Sequence, residues 1–273
     1  MVPEWKTNFL YFSDLLPSKY PIFWRNLAEI LQQAEINYNF LPHTKDIWCR
    51  DYMPVQIDKN EFIQFKYDPD YLKGYEHLRT NPMPVNSYLG ISVKYSDLVI
   101  DGGNIIFSKD SIILTDKVFK ENNSYSKRNL VEKLSKLLKT EKIYFIPRQP
   151  YDIYGHADGM VRFINCNTII FNDFSRESKR FREKLEKALK NLPFRIIFLK
   201  IPFEHKLSWC YLNYIQVENN IILPAINHLK EEKIFYQFEE IFKKCKIWTV
   251  PSKAILVKGG GLHCISWNCS IFQ

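Results

Sequence analysis

The chain has 273 residues, of which 46% are hydrophobic and 25% charged, a composition typical of a folded globular protein. Aromatic residues make up 15%, which favours an aromatic-rich core or pocket over a disordered chain. No apolar stretch approaches the roughly 18 residues that a membrane helix needs, and Glu4, Lys6 and Asp14 argue against a signal peptide. Six cysteines without paired metal spacing also fit a reducing environment, so we expect a cytoplasmic protein with no membrane partner.

The formal net charge of +8 raises the question of a nucleic-acid partner. A nucleic-acid-binding surface gathers its basic residues into one patch, but here they are spread along amphipathic helices. In residues 178–192, for example, Phe181, Leu185 and Leu189 share one apolar face and the basic residues lie opposite. We therefore expect solvated helix faces and no nucleic-acid partner.

Apolar periodicity divides the chain into helices and strands that alternate from start to end. Helical spacing predicts helices near residues 23–31, 85–89, 130–138, 181–192 and 234–242. Apolar runs predict strands near residues 37–41, 48–57, 62–65, 142–146, 159–164, 168–171, 195–201, 211–217, 221–224, 247–250 and 254–257. Short polar turns at 58–60, 108–110, 165–167 and 218–220 predict hairpins within these units.

One polar position recurs in each unit, just before or within the first strand of the hairpin. The residues are Asp51, Asp101, His156, Asn213 and Cys264, at intervals of 50 to 57 residues. A fixed interval with a polar group at the same phase predicts a repeat architecture of the α/β class, in one domain over residues 1–273. If the units close into a ring, the five positions converge on its axis, and the apolar start of the chain (9–12) supplies the strand that the last unit lacks. The alternative is an open α/β sheet with coincidental spacing.

The converging side chains favour chemistry on a cation. Cys264 follows three glycines and offers a nucleophile, while His156 carries a proton near neutral pH. Asp51, Asp101 and Asp158 have no cationic side chain at the same phase, so their repulsion should raise the pKa of each, and a bound cation would relieve it. The spacing matches no known metal site, whereas two carboxylates can grip a planar guanidinium and turn its central carbon towards the thiolate. We therefore expect no metal, and no cofactor.

Four motifs also carry a family resemblance that runs from end to end. They are Trp48-Cys49-Arg50-Asp51-Tyr52-Met53-Pro54, Asp101-Gly102-Gly103-Asn104-Ile105, the segment 155–163 (GHADGMVRF) and the segment 259–265 (GGGLHCI). This series resembles that of the agmatine deiminases and bacterial peptidylarginine deiminases, in the guanidine-group-modifying superfamily. The resemblance implies the pentein fold, a five-bladed α/β propeller of ββαβ units around a central site, in agreement with the repeat.

The resemblance also implies roles for single residues. Cys264 is the nucleophile that forms the covalent amidino intermediate, and His156 protonates the departing ammonia and then activates water. Asp101 orients His156 by a hydrogen bond, although the family usually has glutamate at this position. Asp51 and Asp158 bind the guanidinium, and Asn104 and Trp48 complete the substrate site. Candidates for the far end of the substrate are Trp5, Trp209, Trp267 and Asp68.

The implied activity is the hydrolytic release of ammonia from a small guanidino compound. By resemblance the leading substrate is agmatine, whose product N-carbamoylputrescine belongs to putrescine and polyamine biosynthesis, and a homodimer is a further possibility. Alternatives within enzymes are a deiminase or dihydrolase of free or peptidyl arginine, and an amidinotransferase. A propeller that only binds is the non-enzymatic alternative, because one fold serves many functions.

Overall fold

The structure, a computed structural model, describes residues 1–271. Its strands are β1 (Phe9–Ser13), β2 (Asn37–Leu41), β3 (Val55–Asp58), β4 (Glu61–Lys66), β5 (Val93–Val99), β6 (Ile106–Phe107), β7 (Ser111–Thr115), β8 (Lys142–Ile146), β9 (Val161–Asn165), β10 (Thr168–Asn172), β11 (Arg195–Leu199), β12 (Ile215–Val217), β13 (Asn220–Ala225), β14 (Lys246–Pro251) and β15 (Ser266–Cys269). Its α-helices are α1 (Leu15–Lys19), α2 (Pro21–Gln33), α3 (Cys49–Tyr52), α4 (Pro82–Leu89), α5 (Lys117–Glu121), α6 (Lys127–Leu138), α7 (Lys179–Leu189), α8 (Glu232–Ile241) and α9 (Lys253–Leu256). Short 3-10 helices lie at Glu4–Lys6, Asp70–Leu72, Glu76–Leu78, Gly102–Asn104 and Ser208–Leu212.

The strands of residues 1–271 form five three-stranded sheets of one pattern. In each sheet the middle strand pairs antiparallel with one neighbour and parallel with the strand that follows it in the chain. The sheets are β15-β1-β2, β3-β4-β5, β6-β7-β8, β9-β10-β11 and β12-β13-β14. The α/β class and the repeat predicted from the sequence are thus present as five similar ββαβ units.

Helices connect the two parallel strands of each sheet, because a parallel pair needs a crossover connection. The helices α6 and α7 are capped by Ser126 and Ser178, which directly precede them and whose side chains accept hydrogen bonds from backbone N–H groups of the first turn. The helix α4 starts at Pro82, earlier than predicted, because proline is tolerated in the first turn, where its missing N–H is not needed.

The two ends of the described chain meet in one sheet. Phe9 pairs with Cys269 and Phe12 with Ser266, so that β1 is the middle strand between β15 and β2. The prediction that the apolar start supplies the missing strand of the last unit is confirmed. This pairing fixes the segment that carries Cys264 against the first residues of the chain.

Three predicted strands are wrong where they enter connecting segments. Residues 254–256 belong to the helix α9 and Val257 follows it, so no strand forms over 254–257, because a short apolar run has no periodicity that separates the two structures. The strand predicted over 48–57 begins only at Val55, after the helix α3. The strand predicted over 211–217 begins at Ile215, after a 3-10 helix.

Neighbouring units share their hydrophobic cores. One cluster joins Val55 and Ile63 of one sheet to Ile112 of the next and to Leu130 and Leu134 of its helix. Another joins Phe23 and Leu27 of α2 to Ile222 of β13. Because each core is built from two units, the position of one connecting segment is fixed relative to the next. Within residues 1–271, no helix is both long and apolar enough to cross a membrane.

Candidate active site

The recurring polar residues all lie in segments that lead from the third strand of one sheet to the first strand of the next. They are Asp51 between β2 and β3, Asp101 between β5 and β6, His156 and Asp158 between β8 and β9, Asn213 between β11 and β12, and Cys264 between β14 and β15. A chain of contacts joins them into one buried cluster, described below. The polar residues that recur at one phase of the sequence repeat therefore lie together in the fold.

Gly103 lies between two of the carboxylates. Its backbone N–H donates to Asp51 Oδ1 at 2.9 Å, and its carbonyl accepts from the N–H of Asp158 at 3.1 Å. A Cβ atom on Gly103 would lie only 2.8 Å from Asp51 Oδ1 and from His156 Nδ1, closer than real Cβ atoms approach. Glycine is needed here because Asp51, His156 and Asp158 converge on its backbone.

The thiol of Cys264 is held by polar partners and is only 8% exposed. Its Sγ lies 3.4 Å from Asp158 Oδ2 and 3.3 Å from Asn213 Nδ2. The N–H groups of His263 and Cys264 both donate to Asn213 Oδ1, which fixes the segment that carries the thiol. Burial, together with the charges of Asp158 and Asp51, raises the pKa of the Cys264 thiol well above its ordinary value.

The imidazole of His156 lies between two carboxylates. Its Nε2 is 2.9 Å from Asp101 Oδ2, while its Nδ1 is 3.6 Å from Asp51 Oδ1. Burial lowers the pKa of His156, but Asp51 and Asp101 outweigh burial and raise the pKa to about 9. At neutral pH His156 is therefore a cation.

The three carboxylates have different protonation behaviour, so the prediction of a raised pKa for each is correct for only one of them. Burial raises the pKa of Asp51, and His156 offsets only part of that effect. Burial also opposes ionisation of Asp101 and Asp158, but cationic partners lower the pKa of both. Those partners are His156 and Lys117 for Asp101, and chiefly His263 for Asp158. The sequence shows no Lys or Arg at the repeated position, and the structure brings Lys117 and His263 to these carboxylates from outside it.

A cavity of about 660 Å³ opens onto the cluster. Asp51, His156, Asp158 and Cys264 line its inner part. Trp48 also lines it, and the ring packs so closely on Gly260 that a Cβ there would lie 2.3 Å from it. Within residues 1–271, no group of three or more His, Cys, Asp or Glu side chains is arranged to hold a metal ion.

Other predicted residues lie away from the cavity. Asp101 is 0% exposed and lies behind His156. Asn104 is also buried, and its Oδ1 accepts a hydrogen bond from the backbone N–H of Thr115, whose hydroxyl donates to the carbonyl of Gly155 just before His156. Asn104 thus supports the His156 segment from behind and is not among the residues that line the cavity. Of the candidates for the far end of the substrate, Trp209 lines the cavity, Trp5 and Trp267 line a separate cavity of about 30 Å³, and Asp68 pairs with Lys66 and Arg79.

Several neighbours of the cluster have no role in the sequence analysis. The hydroxyl of Tyr71 donates to Asp51 Oδ2 at 3.1 Å. His263 lies between Asp158 and Glu4, at 2.8 and 2.7 Å. Asn213 shares the repeat phase, which could have indicated its contact with Cys264, and His263 is adjacent to the nucleophile in sequence. Nothing in the sequence indicates that Lys117 lies 2.6 Å from Asp101.

Comparison with known proteins identifies the family of this chain. The sequence profile described as Porphyromonas-type peptidyl-arginine deiminase matches residues 23–269. The chain belongs to this family. The match covers almost all of the chain, including every residue of the buried cluster.

Relatives of this peptidyl-arginine deiminase family member are distant in sequence. A Listeria monocytogenes protein with the provisional name agmatine deiminase 1 is 22% identical over 63% of this chain, and the match covers 58% of that protein, less than two thirds of its length. A Selenomonas ruminantium protein, provisionally named agmatine deiminase, is 23% identical over 88% of this chain and 78% of its own length.

Solved structures show that this family member has the pentein-type α/β fold of agmatine deiminases. The C. jejuni agmatine deiminase with substrate bound superposes with a TM-score of 0.81 at 19% identity, over 99% of this chain and 96% of that chain. DDAH from Pseudomonas aeruginosa superposes with a TM-score of 0.61 at 14% identity, over 96% of this chain and 99% of its own.

Proposed function

We propose that this protein is a hydrolase that removes ammonia from a small guanidino compound through a covalent intermediate on Cys264. The observation that carries the proposal is the convergence of the Cys264 thiol, His156, Asp51 and Asp158 in one cavity. Carboxylates on this wall can bind a planar guanidinium with charge-assisted hydrogen bonds, which directs its central carbon to the thiol. Orientation of this kind is a large part of the catalysis of such a reaction.

The charge of the site favours a cationic ligand. Burial and two carboxylates hold the Cys264 thiol protonated, so the nucleophile is weak without substrate. A guanidinium bound between Asp51 and Asp158 brings a positive charge next to Sγ and lowers the cost of forming the thiolate. In this proposal the bound substrate itself promotes formation of the Cys264 thiolate. A neutral compound binds poorly, because it leaves the charges of the carboxylates unpaired.

In the first half of the reaction the Cys264 thiol releases its proton to solvent as the guanidinium binds, and Sγ then forms a bond to the guanidinium carbon. The tetrahedral adduct then breaks a C–N bond, and His156 transfers a proton to the departing nitrogen so that it leaves as ammonia. Because Nε2 of His156 is 2.9 Å from Asp101 Oδ2, the other ring nitrogen, Nδ1, is the one that faces Asp51 and the cavity. We assign the proton transfer to Nδ1.

The second half of the reaction releases the product. His156, now neutral, accepts a proton from water, and the oxygen adds to the amidino carbon of the intermediate. The C–S bond breaks, Sγ is regenerated, and the product is a ureido compound. Asp101 stabilises the imidazolium in both halves because it accepts the Nε2 hydrogen bond throughout.

Agmatine is the substrate that the cavity favours. In the described chain the cavity lining includes four aspartates, Asp46, Asp51, Asp152 and Asp158, one lysine, Lys206, and no arginine. A dication without a carboxylate, such as agmatine, suits this lining, whereas free arginine brings a carboxylate into it. The relatives named agmatine deiminase are consistent with this substrate.

The proposal also covers the overall architecture, the cellular location and the assembly of the protein. The five similar sheets, the pairing of β1 with β15 and the shared cores support closure of the units into a five-bladed propeller, as one catalytic domain. The cysteines described are all free, which suits a reducing, cytoplasmic location. Assembly as a homodimer stays a prediction.

A panel of substrates tests the activity directly. We expect ammonia release from agmatine with a kcat/KM at least about tenfold above that for free arginine, because the carboxylate of arginine meets an acidic cavity. Peptidyl arginine and methylguanidines complete the panel, and an added amine acceptor detects amidinotransfer. No ammonia and no amidino transfer from any of these compounds would contradict the proposed function and favour a binding role.

Selective labelling tests the activation of Cys264. At pH 7 we expect a haloacetamidine, which is cationic, to alkylate Cys264 more than about tenfold faster than the uncharged haloacetamide, because only the amidine pairs with the carboxylates. Cys166, which is exposed, gives the intrinsic ratio of the two reagents within the same molecule. Peptide mass spectrometry measures both sites, and equal ratios at Cys264 and Cys166 would exclude activation by the bound cation.

A further inference from the structure

Lys117 is a buried cation that the reaction itself does not use. Its side chain is 1% exposed, and its Nζ lies 2.6 Å from Asp101 Oδ2 and 2.9 Å from Glu121 Oε1. Burial lowers the pKa of Lys117, but the charges of Asp101 and Glu121 outweigh burial and raise it. A buried ammonium is costly in free energy unless an anion pairs with it, so the ion pair with Asp101 stabilises Lys117 in its buried position.

Lys117 and His156 share one oxygen of Asp101. Oδ2 accepts from Lys117 Nζ at 2.6 Å and from His156 Nε2 at 2.9 Å, and the two nitrogens are 3.5 Å apart. The other oxygen, Oδ1, is buried and has no hydrogen-bond partner among residues 1–271. The rotation of the carboxylate is therefore set by the two cations on Oδ2, because nothing holds Oδ1.

We propose that Lys117 is a positioning residue for His156, holding the carboxylate of Asp101 against the imidazole and opposing excess positive charge on it. The inference deepens the proposed function, since His156 is the proton carrier of that reaction. Lys117 is not among the residues that line the cavity, so it acts on the reaction through Asp101 and His156.

The charge around His156 determines the direction of the expected effect. Charged or titratable groups that face the imidazole are Asp51, Asp101, Asp158, Lys117, Glu121, Tyr71 and Tyr154. Lys117 is the only cation among them in the described chain. Removing it takes away a like charge, so the imidazolium becomes easier to form and His156 should titrate at higher pH.

The test substitutes Lys117 with methionine, which keeps the length of the side chain and removes its charge. We expect the titration of His156, followed by NMR in histidine-labelled protein and assigned with His156→Gln, to move up by roughly one to three pH units. We also expect kcat to fall at least about tenfold with little change in KM, because a His156 that holds its proton more tightly is a weaker acid for the departing nitrogen while the cavity is intact. If Lys117 does not set the charge at His156, the titration of His156 in Lys117→Met will stay where it is in the native protein.

Two further variants keep the test decisive. Lys120→Met removes a charge from the same short helix, but Lys120 is 63% exposed and pairs with Asp70, so the His156 titration should not move. If Lys117→Met fails to fold, Glu121→Gln removes the carboxylate on the other side of the ammonium and should lower the pH at which His156 titrates. An unchanged titration in Lys117→Met, or in Glu121→Gln where Lys117→Met does not fold, would overturn the inference.

The NMR measurement needs no substrate, so it separates two failures. If the native protein releases no ammonia from any guanidino compound, the proposed function fails, and the titration of His156 still decides whether Lys117 sets its charge. If the native protein is active and the titration in Lys117→Met is unchanged, the proposed function stands and the role of Lys117 is rejected.

Discussion

Replacing Cys264 with alanine is expected to abolish ammonia release, with a loss of about four orders of magnitude or more in kcat. Without Sγ no covalent intermediate forms, and the residual binding groups supply only a small part of the rate. Cys264→Ser should be almost as inactive, although its hydroxyl keeps the contacts with Asn213 and Asp158, because an alcohol is a far weaker nucleophile than a thiolate. Initial rates of ammonia release from agmatine measure both effects.

The control for this prediction is another cysteine of the same chain. Cys166 is exposed and lies in the turn between β9 and β10, so Cys166→Ala should keep nearly full activity. A thermal melt of Cys264→Ala close to that of the native protein excludes unfolding as the cause of the loss. Appreciable turnover by a folded Cys264→Ala would remove the nucleophile from the proposed mechanism.

Replacing either carboxylate of the cavity wall is expected to lower kcat/KM by about tenfold to a few hundredfold. Asp51→Asn and Asp158→Asn each remove one charge-assisted hydrogen bond to the guanidinium, worth roughly 1.5–3 kcal/mol. Asp158→Asn should have the larger effect, because Asp158 Oδ2 also lies 3.4 Å from Sγ and accepts a hydrogen bond from His263. Steady-state kinetics with agmatine measure both losses.

Asp68→Asn is the matched control, because it makes the same chemical change on a half-buried, ion-paired carboxylate outside the cavity lining. It should change kcat/KM by less than about twofold. The labelling ratio of haloacetamidine to haloacetamide at Cys264 should also fall in Asp51→Asn and stay unchanged in Asp68→Asn. Native kcat/KM in both Asp51→Asn and Asp158→Asn would exclude binding of the guanidinium by these carboxylates.

The sequence predicted the elements whose signal is local. The helix α7 follows from apolar residues at helical spacing, and the hairpin of β12 and β13 follows from the polar turn at 218–220. Errors concentrate in the segments that carry the site. Cys49–Tyr52 is helical and residues 254–257 are not a strand, because these segments are shaped by contacts across units and not by a periodic pattern.

The sequence alone determined which residues belong together. Asp51, Asp101, His156, Asn213 and Cys264 recur at one phase of a repeat, and the motifs around them are enough to indicate the family. Each unit places that phase in the same kind of connecting segment, so a regular interval in the chain becomes a common location in the fold.

Only the tertiary structure decided the charge of each group. Asp51 and Asp101 are both aspartates at the same phase, yet burial raises the pKa of the first while His156 and Lys117 lower that of the second. The hydrogen bond from His156 and the charge of Lys117 make the difference, and Lys117 is 16 residues from Asp101 in the chain and 2.6 Å from it in the fold. Electrostatic interactions depend on distance and burial, and the sequence pattern reports neither for a side chain outside the repeated position.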